Sequence, residues 1–128
     1  MFEKSLVENC APTLAGIKTG SIFSINTINS DINREIRRLN AVFTKRGLRL
    51  VPIDKKNNRT MMYLYRPDKL KEDLKNPDAK LILCDKGYSC TSPECCLAQL
   101  VKHLRIDKEF PHEIGLFLGY PPLDFKGF

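Results

Sequence analysis

Few side chains in this sequence could do chemistry. His112 and Glu113 open an otherwise apolar run from Phe110 to Pro121. An imidazole beside a carboxylate suits acid–base work, because the carboxylate can fix the ring's tautomer and orientation. The commoner role for such a pair in a first helical turn is capping. Cys84, Cys90, Cys95 and Cys96 fall within thirteen positions, and four thiolates suit zinc or an iron–sulfur cluster. Their spacing lacks a C-x-x-C, however, and Cys96 belongs to the apolar stripe of its helix. Ordinary reduced thiols are expected there, and no metal.

A third chemistry is electrostatic. Between Arg34 and Arg59 stand nine basic residues, namely Arg34, Arg37, Arg38, Lys45, Arg46, Arg49, Lys55, Lys56 and Arg59, against only Glu35 and Asp54. A helix and a hairpin tip carrying one sign of charge make a phosphate footprint, and Tyr63 and Tyr65 could stack on bases. Such a run is more often simply a solvated face. No glycine-rich phosphate loop, serine-nucleophile elbow or His-x-x-x-His metal motif occurs.

The scaffold for these residues is bounded by composition. At 128 residues and 42% hydrophobic, the chain has the material for one domain, 1–128, with a modest core. No apolar run is long enough to cross a bilayer, so no membrane partner is expected. Residues 1–5 show no basic segment leading into an apolar one, and five cysteines without an export signal point to reduced thiols in the cytoplasm. A formal charge of +6 permits an acidic partner without requiring one.

The spacing predicts an α+β domain: a small, mostly antiparallel sheet of about three strands, covered by helices, with a helical C-terminal half. Residues 3–15 read as a first helix with Pro12 inside it, and 19–25 as a strand. The 31–46 helix is N-capped by Ser30 and followed by Gly47. Its Ile32, Ile36, Leu39 and Phe43 share one face. Residues 48–53 and 60–66 form a hairpin, the first strand at an edge because Pro52 cannot donate to a ladder. Short helices follow at 68–74, 77–86 and 93–105, and a last one starts at Pro111 and ends at Gly119.

Two segments, Asn9-Cys10-Ala11-Pro12-Thr13-Leu14-Ala15-Gly16-Ile17-Lys18 and Phe110-Pro111-His112-Glu113-Ile114-Gly115-Leu116-Phe117-Leu118-Gly119-Tyr120-Pro121, resemble the signatures of a clostridial (Firmicutes) family of unknown function. Lys45-Arg46-Gly47-Leu48 and Tyr63-Leu64-Tyr65-Arg66-Pro67 fit it as well. The resemblance spans residues 5–128 and brings no activity with it. It implies a redox or metal-handling setting and a chain that continues into a cysteine-bearing segment, so a truncated C-terminus is expected here.

The resemblance also places Cys10 in one signature and His112-Glu113 in the other. Together they would make a thiol nucleophile, an imidazole that draws off its proton and a carboxylate that orients the ring. The structural alternative is a cysteine packed in the core. Lys18, Arg66 and Tyr120, in or beside the shared segments, are expected ligand contacts. The leading expectation is an accessory or binding protein with a Cys/His site, its cofactor unknown. The rivals are a small thiol-dependent enzyme and a basic nucleic-acid-binding module working through Arg34, Arg37, Arg38, Lys55, Lys56 and Arg59.

Overall fold

The computed structural model describes residue 8 and residues 10–26, 32–56, 58–88, 92–106 and 113–119, without the side chains of Lys56, Arg105 and Ile106. Its contacts group into two compact units, Met1–Pro67 and Asp68–Phe128.

In the first unit, residues 10–14 are helical, with Pro12 inside the turn. Gly16 takes the left-handed conformation, φ 80°, while its N–H bonds the Thr13 carbonyl and that of Ile17 bonds the Pro12 carbonyl. These two bonds and the left-handed glycine form a Schellman ending. Strand β1 (Gly20–Asn26) follows, then helix α1 (Ile32–Phe43), tightening into a 3-10 turn at Thr44–Arg46. Gly47, φ 76°, closes that turn, as the glycine after a basic last turn predicts. Ser30, the expected N-cap, lies outside the described residues.

Strands β2 (Arg49–Lys56) and β3 (Arg59–Tyr65) complete a sheet of order β1-β3-β2, both pairings antiparallel. The mostly antiparallel three-stranded sheet is the expected one. β3 is central and the Pro52 strand lies at an edge. The hairpin is longer than its sequence suggests, since Lys56 still pairs with Arg59 and only residues 57–58 connect the strands. A register shift between Pro52 and Asp54 leaves Ile53 as the extra, fully buried residue. Proline has no N–H to give to the ladder, and a bulge absorbs that break.

Cross-strand register puts Phe23, Leu50, Met62 and Leu64 on one face. Ile36 and Leu39 of α1 pack there with Cys10 and Leu48, and Ile32 and Phe43 flank them. The 4-3-4 spacing of that stripe therefore buries as expected. Asn40, at the border of the stripe, makes a second attachment. Its Nδ2 donates to the Leu50 carbonyl and its Oδ1 accepts from the Leu50 N–H, both at 2.8 Å. The side-chain amide thus takes the place of a neighbouring strand at the free edge of β2.

The second unit is helical: α2 (Pro67–Leu74), α3 (Pro77–Asp85), α4 (Pro93–Ile106) and α5 (Ile114–Leu118). Three of these helices begin on proline, whose missing N–H costs nothing at a first position. The Asn76 side chain accepts from the Asp78 N–H at the start of α3, and that of Ser92 from the Cys95 N–H at the start of α4. Gly87 and Gly119 end α3 and α5 in the left-handed conformation, as predicted from their positions. Pro111, the expected start of the last helix, lies outside the described residues.

Asn40→Ala removes both bonds to the sheet edge. It should cost about 1–3 kcal/mol, because the buried-side Leu50 groups lose their partners. Chemical denaturation reads this as a lowered midpoint at unchanged slope; an unshifted midpoint would show that the clamp carries no energy.

Candidate functional site

Cys10 is fully buried, and so are Thr13, one helical turn on, and Ser21 on β1. The Thr13 and Ser21 hydroxyls are 2.7 Å apart. Burial pushes the Cys10 thiol from 9.0 up to about 11, against the pull of a hydrogen bond to Ser21 and the charge of Lys18. A thiol nucleophile needs the opposite shift. At neutral pH Cys10 is therefore a protonated, packed side chain in a small buried polar cluster.

Lys18 is half-buried near that thiol and is already engaged. Arg66 is positioned by the end of β3, where its N–H bonds the Thr19 carbonyl at 2.9 Å. From there its Nε donates to the Thr13 carbonyl and one terminal nitrogen to that of Leu14, both at 2.9 Å, and the other reaches that of Arg46 at 3.3 Å. Those carbonyls end the 10–14 helix and the 3-10 turn after α1, where cations are favoured. A Cβ at Gly16 would come within 3.7 Å of the guanidinium carbon, and one at Gly47 within 3.9 Å of a terminal nitrogen. The side chain expected to hold a ligand thus holds two helix ends. Tyr120 lies outside the described residues.

In the second unit Glu113 is buried, 3% exposed, at the start of α5. Its Oε2 lies 3.7 Å from Nδ1 of His103 on α4. His112, the expected imidazole of the Cys10–His112–Glu113 trio, lies outside the described residues. The described partner of the carboxylate is the other histidine. The Tyr88 ring leans on His103, centroids 4.8 Å apart, and on Phe117 at 6.3 Å. A carboxylate facing Nδ1 leaves Nε2 on the far side of the ring, the orientation of an acid–base imidazole. The available signal was helical: His103 follows Cys96 by seven positions and so shares the buried side of α4.

Cys84 and Cys95 are exposed and Cys96 is buried, and all three are free thiols. Cys90 lies outside the described residues. Among the described residues no three His, Cys, Asp or Glu side chains gather where a metal ion could sit.

The basic residues of the first unit are placed differently from the thiol. Arg34, Arg37 and Arg38 lie on the outer face of α1, Lys45 and Arg46 on the turn that ends it, and Arg49, Lys55 and Arg59 on the hairpin, all exposed. The side chain of Lys56 is outside the description. Arg38 is paired with Glu35 at 2.8 Å. Tyr63 and Tyr65 do not serve as base-stacking platforms. Both are buried, and their rings stack on each other at 4.7 Å, 4° from parallel.

Three measurements check these placements. Iodoacetamide at pH 7.4 should label Cys84 and Cys95 readily and leave Cys10 unlabelled in the native protein, as read by peptide mapping. A rapid reaction at Cys10 would overturn the assignment. Because folding raises that thiol's affinity for its proton, stability should hold below about pH 9 and fall towards about pH 11 as the unfolded chain ionises first. Arg66→Lys replaces a planar fork by one ammonium that cannot span three carbonyls, and should lower stability by roughly 1–3 kcal/mol. An unaltered melting curve would contradict the double-cap role.

No curated protein and no solved structure matches this chain. No helix among the described residues is long and apolar enough to cross a membrane. A family model does match, and it runs through both compact units, over residues 6–128. The chain belongs to the family described as Protein of unknown function (DUF3793).

Proposed function

We propose that the first unit is a polyanion-binding module, with nucleic acid as its class of ligand. The observation that carries this reading is the segregation of charge. Residues 1–67 hold twelve Lys and Arg against five Asp and Glu, whereas residues 68–128 hold nine against ten. The whole positive excess of the chain therefore belongs to one unit, whose basic side chains between Arg34 and Arg59 are exposed wherever described. Such a field attracts phosphate chains and gains free energy by releasing their counterions. A reducing, cytoplasmic setting suits the free thiols.

A second reading, an acid–base site in the second unit, draws on the approach of Glu113 to His103. There His103 would move the proton and Glu113 would position the ring.

Fluorescence anisotropy with a labelled oligonucleotide tests the main reading. Affinity should fall steeply with salt, with a log–log slope of about −3 to −5 if roughly four or five phosphates are neutralised. No binding at low ionic strength would sink it.

A further inference from the structure

The electrostatic reading leaves the form of the nucleic acid open, and helix α1 narrows it. We propose that α1 enters the major groove of B-form duplex DNA, an assignment that rests on the polyanion-binding reading of this unit. The inner side of α1 is anchored to the sheet by Ile36 and Leu39 and by the amide clamp of Asn40 on Leu50. Its outer side is therefore presented as a rigid ridge.

That ridge consists of Arg34, Arg37 and Ala41, spaced three and four apart and all exposed, with Val42 on its flank at 52% exposure. The twelve residues of α1 span about 18 Å, and a helix about 10–12 Å across fits a groove about 12 Å wide. Ala41 at the crest lets the backbone approach the bases closely. Arg34 and Arg37 can reach guanine O6 and N7, and an exposed Val42 has an apolar counterpart in the thymine methyl. Glu35 holds Arg38 to the side of the ridge at 2.8 Å. Lys45 and Arg46, exposed on the turn that ends the helix, meet phosphates at the groove's rim. The deep, narrow major groove of A-form RNA excludes such a ridge.

The test compares a 20-base-pair duplex DNA, the matching duplex RNA and a single strand, by anisotropy with the full chain. Dimethyl sulfate protection of guanine N7 reports the groove. Duplex DNA should bind at least tenfold tighter than duplex RNA, with N7 protected. The double substitution Arg34→Gln and Arg37→Gln should lose both the preference and the protection without lowering the melting temperature. Ala41→Leu leaves the charge unchanged but raises the crest, and should cut the ratio of duplex to single-strand affinity at least fivefold. Equal binding of duplex DNA and RNA, or unprotected N7, overturns the groove assignment and leaves the polyanion reading standing. No binding of any of the three overturns both.

Discussion

Helix C-termini leave carbonyls without intrahelical partners, and in the first unit two such ends converge on the Arg66 guanidinium. Arg66 directly follows the central strand, so its backbone is fixed by β3 and by the Thr19 carbonyl. From that fixed point it ties down Thr13 and Leu14 on one side and Arg46 on the other. Gly16 and Gly47, both left-handed, allow the two chain reversals beside it. Replacing either by a side chain would strain the turn.

The position of Cys10 depends on that constraint. The helical turn held by Arg66 carries Cys10 and Thr13 into the core, against Ser21. Three small polar groups in a hydrocarbon environment are tolerated because they bond to one another. The same desolvation that makes the cluster stable keeps the thiol protonated. Packing and nucleophilicity make opposite demands on a cysteine, and at this position packing prevails.

Charge and burial are separated across α1 in the same way. One side of the helix meets the sheet through aliphatic side chains and one amide, and the other carries arginines into solvent. Asn40 also blunts the edge of β2, so the sheet face and one of its edges are occupied by the helix that presents the basic ridge. The second unit has its own polar centre, where a buried carboxylate, an imidazole and an aromatic ring meet at the junction of α4, α5 and Tyr88.

Local rules in the sequence were enough for the element types and most of their ends. The stripe Ile32, Ile36, Leu39 and Phe43, the prolines opening helices, the glycines closing them and the edge position of Pro52 all act over a few residues, and the structure follows them. The cationic character of the first unit was equally plain, since charge is counted rather than folded. Tertiary structure alone decided which side chains meet. The approach of His103 to Glu113 and the three carbonyls on Arg66 join residues that no periodicity relates. The protonated state of Cys10 was likewise beyond reach, because desolvation depends on everything packed around an atom rather than on its neighbours in the chain.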